Sequence, residues 1–436
     1  MNMVASTDIK FFVHSNNNAP QLQNAYGSMI GVLDACLVNG ISLGLVSTLT
    51  AVGTTVTAVF SNAHNLMQYQ VLKITGANQA EYNGEHRILT VPNATSVTFQ
   101  LATAPSLTTA TGAMTATLPP LGWEKPFSSV NEAGGGKAAY RSKNVLLASR
   151  PYLRVVDELD PAYSATYAKY AKVGIVEDMA DINTLLGVQA PFDATSPDKN
   201  WQGINGGTTA TSFNGWAKWY YARRNATGVS GNQFDYTAPL DGSRAWIILG
   251  NSDYFYILPS VTGINVNQIL YGFGAFESLI NPDSANNFLL CSDYYFSLST
   301  SSSPAMAAGM HATGISNYNY SNLLVQRKYD NSAKYNNARC GSFYALNGSF
   351  YTGGQNYVEA YNNDYIFSPI YIFDQFEYGG DKVVTRGKAP LINWIFNTSP
   401  YSDLSFIEKN GKTYMAKSLA VSASVLGQIL FEIGEV

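Results

Sequence analysis

The sequence predicts a mainly β fold: a multi-stranded, sandwich- or barrel-like body carrying a small inserted antiparallel β-module and few short helices. Three observations lead there. Short runs rich in Val, Ile, Thr, Phe and Tyr recur along the chain, each bounded by Gly, Asn, Pro or Ser, as strands and turns alternate. Charged residues make up only 13% of the 436, about half the usual share. Polarity comes instead from Asn, Ser, Thr, Gln and 29 Tyr, with 37 Gly to turn the chain, a composition suited to β-structure and to surfaces that meet other proteins. Finally, no fixed period marks a solenoid or propeller. The length exceeds what one simple core organises and predicts two or three domains.

In chain order, Ile9 to Val13 reads as a strand and Ser15 to Pro20 as a loop. A helix opens at Gly27-Ser28, with Ser28 placed to cap it and Ile30, Leu33 and Leu37 on one face. Asn39-Gly40 stops it, and Cys36 beside the stripe reads as a core thiol. Residues 41–118 form the inserted module. Thr54 to Phe60, Tyr69 to Gly76, Tyr82 to Val91 and Ala94 to Leu101 are its strand runs. In the last, Val97, Phe99 and Leu101 alternate with polar residues, as one buried sheet face requires. Asn83-Gly84 reads as a tight turn, and Pro119-Pro120 marks the exit.

Residues 1–39 and 120–436 make the body. Asn144 to Ala148, Tyr152 to Val156 and Val173 to Val176 read as strands, and Arg244 to Leu258 as a hairpin around Asn251-Ser252-Asp253. Ile366 to Phe373, Leu391 to Phe396, Tyr414 to Ala420 and Val425 to Ile433 continue the sheet. Ser299 to Ser303 reads as a turn and Ala305 to Met310 as a short helix. Within 318–364 the Asn/Tyr-rich stretches predict long exposed loops.

The order of motifs in the module carries a resemblance. A Thr/Val strand, then Ala63-His64-Asn65-Leu66, a V-x-x-I-T-G strand at Val71 to Gly76, the Tyr82-Asn83-Gly84 turn and the Ala94 to Leu101 strand, ATSVTFQL, resemble a small β-module of tailed-bacteriophage structural proteins. The likeness extends to the segments at 28–40, 121–127, 138–144, 152–158 and 244–256. Asn16-Asn17-Asn18 stands where that group usually has a Gly-containing turn. The resemblance implies a virion component, made in host cytoplasm without secretion.

Chemistry offers little. The four His lie in no metal-ligand spacing, there is no G-x-S-x-G elbow, and three widely spaced Cys read as free thiols. Gly134-Gly135-Gly136-Lys137 lacks the spacing of a phosphate loop. Asp157 to Asp160 reads as a solvated turn, and Glu177 and Asp181 as a carboxylate pair on one helix face. No catalytic residue, metal or cofactor is predicted. A net charge of −4 argues against nucleic acid. No run approaches the ~18 apolar residues of a membrane span, and the first residues lack the pattern of a signal peptide.

The densest aromatic cluster, Trp216, Trp219, Tyr220 and Tyr221 with Arg223-Arg224, is the candidate interface: Trp216, Trp219, Tyr221 and Arg224. Three functions fit. The leading one is a non-enzymatic tail or neck protein forming a ring or non-contractile sheath around the tail tube, a cyclic homo-oligomer with other tail or neck proteins as partners. The alternatives are a receptor- or glycan-binding tail-tip protein, which adds a host-surface partner, and a capsid decoration protein.

Overall fold

Strict alternation makes the module a barrel. Along Thr55–Phe60, Val56, Ala58 and Phe60 are buried while Thr55, Thr57 and Val59 face outward. A computed structural model describes residues 5–203, 215–224, 237–264, 268–294, 321–341, 364–375, 383–395, 400–420 and 426–435. In it, Ile41–Val52, Thr55–Phe60, Ser96–Gln100, Gly84–Asn93, Val71–Thr75 and Thr115–Leu118 close in that order. Closure leaves no strand edge unpaired. The predicted Asn83-Gly84 turn is built differently. A single 3₁₀ turn, Ala80–Tyr82, precedes an extended Asn83, and Gly84 alone takes positive φ. The Asn83 amide instead brackets Ala77, accepting from its N–H at 3.0 Å and donating to its carbonyl at 2.8 Å.

Among the described residues two sheets make the body, so the chain is mainly β with few short helices, as the composition predicts. One has six strands. Leu185–Ala190, Lys169–Met179, Tyr152–Glu158, Gly135–Ser142 and Trp123–Val130 follow in order, and Lys218–Ala222 pairs with Lys169 to Lys172. The other has thirteen strands and begins at Lys10–Val13, Trp246–Gly250, Tyr254–Pro259 and Tyr271–Ala275. It curls back on itself, because Glu277–Ser278 leaves Tyr271–Ala275 and pairs with Val383–Ile395. Its inner face therefore encloses Tyr256, Phe288, Leu290, Ile372, Ile392 and Phe431, and the Tyr256 hydroxyl crosses the roll to Pro390 O at 2.9 Å. Its outer face, with Phe12, Ile248, Phe255 and Leu289, packs on Tyr140, Val155, Val173 and Trp219 of the six-stranded sheet.

Several expectations are corrected. Residues 144–148 form turns instead of a strand, since Asn144 bonds the N–H of Leu146 and the carboxylate of Asp253. The stretch 318–337 is not all loop: Ser321–Val325 is a strand whose Leu323, Leu324 and Val325 are buried, a short apolar run inside an Asn-rich context. Ser28 does not cap the helix. Its hydroxyl donates to Ala25 O, and Gly27 in the left-handed region takes the cap position. The helix Ser28–Leu33 widens into a π-type turn, Asp34–Asn39. Its buried face becomes Met29, Val32, Leu33, Cys36 and Leu37. The turn at 299–303, the helix at 305–310 and most of the loop at 347–364 lie outside the described residues.

Candidate functional site

The predicted aromatic cluster is interior. All five residues of Lys218–Ala222 are buried, because one side of the strand meets the large sheet and the other the turn before Lys169. Trp219 stacks on Tyr271 at 5.8 Å, meets Phe255 edge-on at 6.2 Å, and donates its indole N–H to Leu290 O at 2.8 Å. Tyr220 lies against Tyr170 at 5.0 Å. The four candidate residues thus separate. Trp219 and Tyr221 belong to the core and are not available to another subunit. Trp216 is half-buried beneath Lys199 at 4.4 Å, and Arg224 is exposed.

Tyr221 leads to a hub that the sequence reading missed. Its hydroxyl donates to Asp157 Oδ1 at 2.6 Å, and Asp157 Oδ2 accepts from the N–H groups of Met29 at 3.1 Å and Ile30 at 3.4 Å. Asp157 is wholly buried, so it is no part of a solvated turn; it caps the helix from 128 residues away. Burial pushes its carboxyl up to about 6, against hydrogen bonds from Tyr221 and the helix amides that pull it down. Three residues further on, Asp160 forms a buried ion pair with Lys172, whose ammonium also donates to Trp201 O at 2.7 Å. Glu177 and Asp181 share no helix face. Glu177 lies on the strand Lys169–Met179 and holds the Arg327 guanidinium through both oxygens at 2.8 Å, while Asp181 closes a turn onto Thr184.

A third cluster seats the barrel on the body. Asn16 and Gln70 face each other as reciprocal amides, at 3.0 and 2.9 Å, and Gln70 also donates to Phe11 O at 3.0 Å. Asn17 and Asn18 donate to Ala63 O and Ser42 O. Arg87, on a barrel strand, spends its guanidinium on the carbonyls of Ser6, Tyr69 and Ile9. The Asn triplet is therefore a clamp on the barrel.

None of these groups forms a reactive constellation. The His64 Nδ1 accepts from Leu66 N–H at 2.9 Å, and His86 bonds Tyr82 O while stacking on Phe99 at 4.2 Å. Burial lowers both imidazoles and pushes the Cys36 thiol well up and that of Cys291 up to about 12. Among the described residues no three His, Cys, Asp or Glu converge on a metal position, and no helix is long and apolar enough to cross a membrane. What the arrangement does is hold elements together.

No protein-family model and no curated protein matches the chain. Among solved structures it aligns with the phage phi92 endosialidase at 8% identity, covering 90% of this chain and 51% of that one, with a TM-score of 0.13. The chain spans about half the length of that protein, and at such a score a shared fold is not demonstrated.

Proposed function

We propose that this chain is a structural component of a tailed-bacteriophage virion, a tail or neck protein that forms a ring or non-contractile sheath around the tail tube and acts by assembly. The observation that carries this reading is the burial of Trp219, Tyr220 and Tyr221. The richest aromatic segment is consumed in joining two sheets, which leaves it nothing to offer a receptor. The order of motifs that resembles virion proteins builds the barrel, and Gln70 and Arg87 fix that barrel against the body.

The surface supplies contacts for assembly. The hairpin of Trp123–Val130 and Gly135–Ser142 exposes apolar side chains at both ends: Val130 is 91% exposed at one, Val145 73% and Leu146 89% just past the other. Eight residues of strand separate the ends by roughly 25 Å. Two unlike patches on one subunit are what a head-to-tail ring requires.

The receptor-binding alternative has one observation in its favour. Tyr365, Phe367 and Tyr401 lie half-buried over the C-terminal strands, with Lys409 4.9 Å from the Phe367 ring. The test is complementation of a phage lacking this chain with Leu146→Asp, Val130→Asp or Phe367→Ala. The assembly reading expects particles without complete tails from the two Asp variants and normal host adsorption from Phe367→Ala. Intact particles from both Asp variants, with adsorption lost in Phe367→Ala, would favour the receptor reading.

A further inference from the structure

Three buried arginines come with hydrogen-bonded partners. Arg386 donates to Asp283 through Nε and Nη2 at 3.1 Å each and reaches Asp374 at 3.3 Å. Arg87 is satisfied by three carbonyls, and Arg244 by those of Leu240, Gly242 and Val261. Arg154 differs. It is 4% exposed, yet only Nε has a hydrogen bond, to Ile182 O at 2.9 Å, and Nη1 is buried without a partner. A buried cation left without a counter-ion costs several kcal/mol.

The surroundings are built around that guanidinium. Arg154 sits mid-strand, opposite Gly174, with its charge 4.5 Å from the Trp201 ring. A Cβ on Gly174 would come within 2.6 Å of that ring, so the glycine makes the room in which Trp201 covers the arginine. Lys137 and Lys172 flank Val156 in register on the same face, but both are engaged. Lys172 pairs with Asp160; Lys137 reaches Asn183 at 3.0 Å and Glu158 at 3.8 Å. Glu158 and Asp198 act on Arg154 only at a distance, and although burial lowers the guanidinium to about 10, it stays charged at neutral pH.

We propose that Arg154 anchors a site for a small carboxylate, which enters between Trp201 and the turn at Ile182-Asn183 on the outer face of the six-stranded sheet. The edge of the guanidinium away from Nε, the buried Nη1 with Nη2 beside it, carries the two parallel donors that a carboxylate accepts. A monoanion fits better than a phosphate, because the neighbouring ammonium groups are already neutralised and one positive charge remains to be met. The same chain shows the chemistry twice, in Arg386 with Asp283 and in Arg327 with Glu177. This site is independent of the assembly reading.

Saturation-transfer NMR with acetate on the full chain, at constant ionic strength, tests it. Acetate should receive saturation from the wild-type protein and receive none from Arg154→Gln. Should that variant fail to fold by circular dichroism, Gly174→Ala carries the test: by displacing Trp201 it should weaken acetate about tenfold, equivalent to about 1.4 kcal/mol. Equal signals in wild type and folded variant, or no signal in wild type at millimolar acetate, would overturn the site. Phosphate displacing acetate more strongly than formate does would overturn its assignment to a carboxylate.

Discussion

Inside the barrel, Leu49, Val56, Leu72, Ile88, Val97 and Phe99 fill the space, and the buried cation Arg87 points away toward carbonyls of the body. Where the body's elements meet, ionised groups are buried just as deeply: Asp157 beneath the helix, Asp160 with Lys172, and Arg386 between Asp283 and Asp374. The contrast follows from how each is closed. A barrel satisfies its backbone through its own strands, so apolar filling suffices. The body must join a helix, a curled sheet and a six-stranded sheet whose loose backbone groups need partners from distant parts of the chain. Charges supply those partners. They make the body specific in register and costly to disturb.

The largest effect should come from breaking that charged framework. Arg386→Met strands Asp283 and Asp374 in the interior and should cost about 3–5 kcal/mol in urea unfolding. A loss below 1 kcal/mol would mean that the curled sheet does not depend on its ion pairs.

Next is the hub at Asp157. Its carboxyl, at about 6 in the fold and about 3.9 when unfolded, holds a proton in the native state that the unfolded chain has already lost. The native state is therefore favoured at low pH, and stability should fall as pH rises from about 4 through about 6, by roughly 3 kcal/mol in all. Asp157→Asn keeps an acceptor but removes the charge, so its stability should be flat across that window relative to wild type. A parallel decline in both proteins would assign the pH dependence elsewhere.

At the barrel seat, Gln70→Ala removes bonds to Phe11, Asn16 and Met67. It should cost about 1–3 kcal/mol. Hydrogen exchange should quicken at residues 9–18 while the barrel strands keep their protection. Uniform loss of protection would show that barrel and body unfold together. The smallest effect belongs to Ser28→Ala, which should change stability by less than about 0.5 kcal/mol, because the helix amides bond Asp157. A loss near 1 kcal/mol, as for an N-cap serine, would restore the local cap.

These contrasts also explain what the sequence could show. The barrel strands are legible because Val97, Phe99 and Leu101 alternate with polar residues and Gly or Asn punctuates each run. The hairpin at 246–259 is legible because both arms are apolar throughout. The hub is not, because nothing near Asp157 announces a helix terminus 128 residues away or a tyrosine 64 residues on. Arg327 and Glu177 are 150 residues apart and carry no local signal of pairing. Trp219, Tyr220 and Tyr221 stand out as an aromatic run, but what each side of their strand meets depends on the curl of the large sheet. That curl is set by the two-residue strand Glu277–Ser278, too short to be seen as a pattern.

The claim that the chain builds a phage tail or neck is tested most directly by its position on the particle. Antibody raised against the barrel, residues 41–118, and bound to gold should label intact virions around the tail or the neck, with several grains encircling each particle at one axial level or along the tube. Label confined to the distal tip, spread over the capsid, or absent from purified virions would contradict it.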